Sequence, residues 1–363
     1  MNKFLMFGLA ALAVVALNSA QAAPASILHQ TQGSVIVRLG ADDAHVVWQE
    51  VGNQASEKYL YTLNAATGKR SEVKASKRPF APAVAGDFVL YGAGHLNQKI
   101  DVLLTRLDGG RPRLLHTRIP WIVEPGLAVA GKRIRAVWER ADDDTGSGLS
   151  IFLWESGENG DGRGREKYRV LASGPILRTD VPPEYRRMVH NEYPKIDGDT
   201  VVFQSNEYSS PNIYRLDLNT DRFTRLSPSA LFQERPALSG PYTVWEESEN
   251  GYAQSQTSTI MLHDSRTGVV KLLNAEPGFH YQARVYGSYA LYGAKRAPLE
   301  HTPSIRIYAI DRGFELPAQK CFPGPVYDWV AVSKGVYVAQ RFSNTSSRLL
   351  FATWRQLESG CRN

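Results

Sequence analysis

Short runs of alternating or β-branched apolar residues, most of them ending on an aromatic, recur along the chain. They read Ala44-His45-Val46-Val47-Trp48, Asp87-Phe88-Val89-Leu90-Tyr91, Ile134-Arg135-Ala136-Val137-Trp138, Thr200-Val201-Val202-Phe203, Tyr242-Thr243-Val244-Trp245 and Tyr289-Ala290-Leu291-Tyr292. Val336-Tyr337-Val338-Ala339 stands in the seventh place. A second run follows each: Tyr59 to Leu63, Val102 to Arg106, Ile151 to Trp154, Ile213 to Asp217, Ile260 to His263, Ile305 to Tyr308 and Leu349 to Trp354. Turn residues come next, as in Ala66-Thr67-Gly68, Asp108-Gly109-Gly110, Asn219-Thr220-Asp221, Arg266-Thr267-Gly268 and Asp311-Arg312-Gly313. The runs show no 3.6-residue period, so they predict strands and exclude a helical solenoid.

Repeats of this kind every forty to fifty residues or so predict an all-β chain: a seven-bladed β-propeller with four-stranded antiparallel blades. The clearest copy runs from Tyr193-Pro194-Lys195-Ile196-Asp197-Gly198 to Phe203 and on through Asn212-Ile213-Tyr214-Arg215-Leu216-Asp217. It resembles the TolB-like propeller superfamily of exported bacterial proteins. The resemblance covers most of residues 33–357 and is architectural. Strict Ser-Pro-Asp-Gly turns are missing and there is no room for the α/β domain that precedes the propeller in TolB, so a TolB role is not implied. A ring of blades leaves no open edge when strands from both chain ends share one blade. Ser26 to Gln30 is therefore expected as the outer strand of the last blade, beside Leu349 to Trp354.

The step from Trp138 to Phe203, 65 residues, is the outlier and predicts an insertion within 155–187. It contains the Gly-rich charged piece Gly157 to Arg165 and the piece Pro182 to His190, which leads into the next blade and carries Tyr185, Arg186, Arg187 and His190. Asp142-Asp143-Asp144 with Gly146 lacks the acidic twelfth position of a calcium loop and reads as a solvated hairpin.

The first residues set the compartment. Lys3, the apolar stretch Phe4 to Leu17 and Ala20-Gln21-Ala22 follow the order of a cleaved secretory signal, 1–22, leaving 23–363 as one propeller domain. The apolar stretch is too short to span a bilayer, and no later one is long enough. The expected location is the periplasm or the medium. There the two cysteines, Cys321 and Cys361, are the only available disulfide pair. Hydrophobic content of 43% and charge of 21% exclude a disordered chain. A formal net charge of +6 with no Lys/Arg run speaks against nucleic acid and for an anionic polysaccharide or a cell-envelope protein as partner of a monomer.

The inner strand of each blade lines the channel, so the residues leading into it stand at one mouth. These are Arg38; Phe80 and Ala81; Glu192 and Tyr193; Glu234 and Arg235; Tyr281 and Gln282; and Asp328 and Trp329 in the last copy. His190 and His280 fall a few residues further out, Lys195 and Arg284 one step further in. Aromatic faces beside cations and carboxylates suit sugars and polar polymers. Glu192, Tyr193, Glu234, Arg235, Tyr281 and Trp329 form the candidate binding set. No Gly-x-Ser-x-Gly, His-Glu-x-x-His, P-loop or metal triad occurs, and neither metal nor cofactor is expected.

Two classes of function follow. The first is an exported propeller that binds a protein or glycan at its rim, with rim charges mutually paired. The second is a polysaccharide lyase: some lyases acting on uronate polymers, ulvan lyases among them, are seven-bladed propellers using His, Tyr and Arg. Arg235 or Arg284 would then neutralise the uronate carboxylate, and Tyr281 or Tyr193, partnered by His280 or His190, would serve β-elimination as base or acid. A hydrolase would need Glu192 and Glu234 as a close pair.

Overall fold

The computed structural model describes residues 25–361 apart from 53–57, 76–77, 95–99, 120–124, 142–147, 158–165, 178–181, 183–184, 186–187, 209, 252–253, 275 and 297–302. The expected signal segment 1–22 and the triple-aspartate stretch lie outside the described residues.

Seven four-stranded antiparallel sheets form seven blades. Six are simple meanders; the seventh runs Ser26–Gln32, Ser346–Thr353, Gly335–Ser343, Val326–Val332 from rim to channel. The N-terminal strand thus closes the ring as expected, with Ile27 opposite Leu350 and Gln30 opposite Arg348. A hydroxyl pair fastens the closure. Thr31 Oγ1 and Ser347 Oγ are 2.9 Å apart, and Ser347 Oγ accepts the Ile36 N–H of blade one at 2.7 Å.

The recurrent aromatics are what the blades pack on. Trp48, Tyr91, Trp138, Phe203, Trp245 and Tyr292 are all 0–1% exposed. Seven apolar clusters fill the seven junctions between neighbouring blades: Trp48 with Val330 and Leu349 of blade seven is one, and Trp245 with Ile213 of blade four is another. In blades one, two, four, five and six the aromatic lies three residues beyond the start of the second strand. In blade three Ala136 takes that place, with Trp138 two residues on and on the same face; in blade seven Val338 takes it, not Ala339. Ala339 faces blade one instead, because consecutive side chains on a strand point to opposite faces and Val338 faces blade six.

The long step divides in two. A regular fourth strand, Lys167–Ala172, lies within it, so the extra residues fall in the loop before that strand and in the connection after it. Cys321 and Cys361 are bonded, tying the short helix Trp354–Ser359 that follows the last strand to the segment leading into blade seven. That helix carries a capping box in which Thr353 and Gln356 satisfy each other's end groups.

The meander order gives the molecule two unlike ends. Turns joining first to second and third to fourth strands share one end, here the turn face. Loops joining second to third strands, and blade to blade, share the other, the loop face.

Candidate functional site

The inner strands of all seven blades enclose a cavity of about 610 Å³. Its wall carries Arg38, Lys195 and Arg284 in its loop-face half, and Asp42, Asp43 and Asp197 at the turn end. The acids there are engaged by the turns: Asp42 accepts the N–H groups of Ala44 and His45, and Asp43 accepts Ser333 N–H and the Tyr286 hydroxyl.

One backbone device shapes the loop-face mouth. Arg38, Ala81, Tyr193, Arg235 and Gln282 occupy the same place on the inner strands of blades one, two, four, five and six, and all five have φ between 48° and 55°. Such left-handed conformations are unfavourable for residues with a Cβ. Each falls at a bulge where the register of inner and second strands shifts.

The neighbouring blade secures the strained backbone. Tyr193 N–H donates to Glu139 Oε2 at 2.8 Å, Arg235 N–H to Gln204 Oε1 at 2.8 Å, and Gln282 N–H to Glu246 Oε1 at 2.6 Å. Each acceptor is the residue after the buried marker aromatic of the preceding blade, and each is 1–3% exposed. Blade six has Gly293 at that place, and a Cβ there would lie 2.6 Å from Tyr281 and 2.7 Å from Trp329. The junction between blades six and seven is therefore filled by those two rings, edge to face at 6.0 Å. Asp328 completes the circle: its Oδ2 accepts Leu39 N–H of blade one at 2.7 Å, and its Oδ1 accepts from Gln282 at 2.5 Å and Arg284 at 3.1 Å.

Several of the expected residues come together. The Arg235 guanidinium lies over the Tyr193 ring, 5.8 Å from its centre, and 3.8 Å from Glu246. Burial pushes the Tyr193 hydroxyl up to about 12, outweighing the opposite pull of Arg235. His190 stands 3.5 Å from Glu192, which also accepts from Gln204 at 2.9 Å. Glu234 faces Glu246 across the blade-five hairpin.

Others are placed apart from this group. Trp329 is fully buried and Tyr281 is 7% exposed; both belong to the core between blades six and seven, with Lys295 5.0 Å from the Tyr281 ring centre. His280 is 5% exposed and its Nδ1 lies 2.9 Å from the Ser258 carbonyl. Burial holds its pKa below the usual imidazole range, so it stays neutral. The clasping residues Glu139, Gln204 and Glu246 were not among the expected set, although each directly follows a marker aromatic in the sequence, as Gln49 does in blade one.

No protein-family model and no curated protein matches the chain. Solved structures do. A prolyl endopeptidase gives a TM-score of 0.55 at 15% identity, over 78% of this chain and 40% of that one. An oligogalacturonate lyase in complex with manganese gives 0.57 at 9% identity, over 93% and 95%. A putative TolB from Agrobacterium tumefaciens gives 0.48 at 16% identity, over 68% and 82%. The likeness is to the propeller. The chain spans less than half the length of the endopeptidase, and at these identities what is shared is the fold. Among the described residues no three His, Cys, Asp or Glu side chains converge as metal ligands.

Proposed function

We propose that this chain is an exported propeller that binds a protein or glycan ligand at the loop-face mouth of its channel, with Tyr193 and Arg235 at the centre of the site. The observation that carries this reading is that pair. Two adjacent blades present an aromatic face and a guanidinium together, on strained backbone held by Glu139 and Gln204. Strain of this sort concentrates at ligand clamps. Paired rim charges, Arg235 with Glu246 and Arg284 with Asp328, and the contact of His190 with Glu192, also favour binding over chemistry.

The second reading, a lyase acting by β-elimination, draws on the fold shared with oligogalacturonate lyase over 93% of the chain. Against it, a Tyr193 hydroxyl raised to about 12 is a hydrogen-bond donor at neutral pH and a poor base. His280 is buried on Ser258, and Tyr281 in the core.

The test is equilibrium binding of the mature protein to polysaccharides and purified envelope proteins. Ligand retained by the wild type and lost in Tyr193→Ala and Arg235→Ala supports the reading; a ligand that both variants hold equally well overturns it.

A further inference from the structure

At the loop face Arg235 meets Glu246 at 3.8 Å and Arg306 meets Glu276 at 3.3 Å, but four other arginines there depart from the pattern of the turn face. At the turn face arginines meet carboxylates: Arg106 with Asp108 at 3.0 Å, Arg135 with Glu155 at 2.7 Å, Arg266 with Asp264 at 2.8 Å and Arg312 with Glu358 at 2.7 Å. At the loop face Arg140, Arg225, Arg341 and Arg348 meet no carboxylate within 4.0 Å among the described residues. The strand directions fix their end: second and fourth strands run toward the loop face. Arg140 and Arg341 close second strands, Arg225 closes a fourth, and Arg348 lies near the start of a third.

All four are held by neutral acceptors, and each lies over an aromatic ring. Arg348 donates through Nε and Nη2 to Gln340 Oε1 at 2.9 and 2.7 Å, and Arg225 does the same to Asn212 Oδ1 at 3.1 and 2.7 Å. Arg341 bonds the Ser343 carbonyl and Asn344 Oδ1. Arg140 lies 3.3 Å from both the Ala141 carbonyl and His116 Nε2. Their guanidinium carbons lie 5.1 Å (Arg140, Phe152), 4.2 Å (Arg225, Tyr208), 5.6 Å (Arg341, Tyr327) and 4.7 Å (Arg348, Phe342) from ring centres. Tyr327 and Phe342 are 44% and 50% exposed.

The amides carry the argument. An aspartate or glutamate at 212 or 340 would make the same two-pronged contact more strongly and cancel the charge. The amide orients the guanidinium and leaves its charge in place. Three carboxylates at this end are drawn inward: Glu139, Glu207 and Glu246 are 1–3% exposed and accept backbone N–H groups, while Glu249 and Glu276 stay exposed. Oriented, uncompensated guanidinium groups beside exposed aromatic rings bind anions that have an apolar face to stack.

We infer that the loop face takes an acidic polysaccharide, its carboxylates on Arg225, Arg341 and Arg348 and its sugar rings on Tyr327 and Phe342. A glycan is favoured over an acidic peptide by the hairpin Ser343-Asn344-Thr345 at the blade-seven tip, whose exposed hydroxyls and amide match sugar hydroxyls. The inference rests on the proposed ligand-binding role and names the ligand class for it.

The experiment uses the mature protein, polygalacturonate as probe, and its methyl ester and polyglutamate as controls, at low and moderate salt. The variants are Arg341→Gln with Arg348→Gln, Arg225→Gln, and the turn-face controls Arg106→Gln and Arg266→Gln. Expected is salt-sensitive retention of polygalacturonate, no retention of the ester, at least about tenfold weaker binding in the loop-face variants, and none of this loss in the controls. Equal binding by the Arg341/Arg348 variant, equal loss in the controls, or retention of polyglutamate alone would overturn it. If Arg235→Ala loses binding while the Arg341/Arg348 variant keeps it, this inference fails and the channel-mouth reading stands. If both bind as wild type, both fail.

Discussion

Tyr193 donates its backbone N–H to Glu139 Oε2 across the junction between blades three and four, at 2.8 Å. The contact joins a strained residue at the channel mouth to a carboxylate that is 1% exposed. Gln204 and Glu246 repeat it one and two blades on. Packing between blades and the shape of the mouth therefore depend on the same side chains.

Removing one clasp leaves a buried N–H without its acceptor. Gln204→Leu is expected to destabilise the protein by roughly 1–3 kcal/mol in chemical denaturation; Gln204→Glu keeps the acceptor for Arg235 but sets a buried carboxylate against Glu192 and is also expected to destabilise. The measurement is the denaturation midpoint at fixed pH. A Gln204→Leu midpoint equal to wild type would mean that the clasp contributes nothing.

Ring closure carries a pH dependence. Burial raises the Glu50 carboxyl, but hydrogen bonds from His29 on the N-terminal strand and from Trp48 outweigh it and leave the pKa lowered from 4.5. A depressed carboxyl stabilises the fold above its unfolded value, and that stability is lost as pH falls through the folded value. Burial also lowers His116, His263 and His280 from 6.5, so protonating them opposes folding as pH falls below that value. Stability is expected to decline in two stages, below about pH 6.5 and again below about pH 4.5. Glu50→Gln should reduce the second stage, to which the lowered carboxyls of Asp43, Asp199, Asp264 and Asp311 also contribute, and leave the first.

The disulfide closes a loop of 40 residues. Chain-entropy arithmetic assigns it about 4 kcal/mol. Cys321→Ser with Cys361→Ser should lower stability by that order, and adding reductant should do the same to the wild type and nothing further to the double variant. Equal unfolding curves with and without reductant would contradict this.

The fold was legible because a propeller repeats its signal seven times: Trp48, Tyr91, Phe203, Trp245 and Tyr292 keep one place in the blade, and a single misplaced marker such as Ala339 does not disturb the count. Ring closure by Ser26 to Gln30 followed from the need to leave no open edge. The mouth was half legible. Counting back from the aromatics found Tyr193 and Arg235, whose bulge falls at the same place in each copy. The same counting put Tyr281 and Trp329 at the rim, yet the glycine at 293 opens a space that draws both rings into the core. His280 is likewise set by a tertiary contact, Ser258, that lies outside the repeat. The register of the strands is written in the periodicity; the direction each rim side chain takes depends on its neighbour in the next blade.

The most direct test is a binding titration of wild type, Tyr193→Ala and Arg235→Ala against uronate polysaccharides, with the ultraviolet absorbance of unsaturated uronate followed in the same samples. Saturable binding that weakens about tenfold or more in both variants, with a flat absorbance trace, is the predicted result. A rising trace in the wild type, or binding untouched by either substitution, would contradict it.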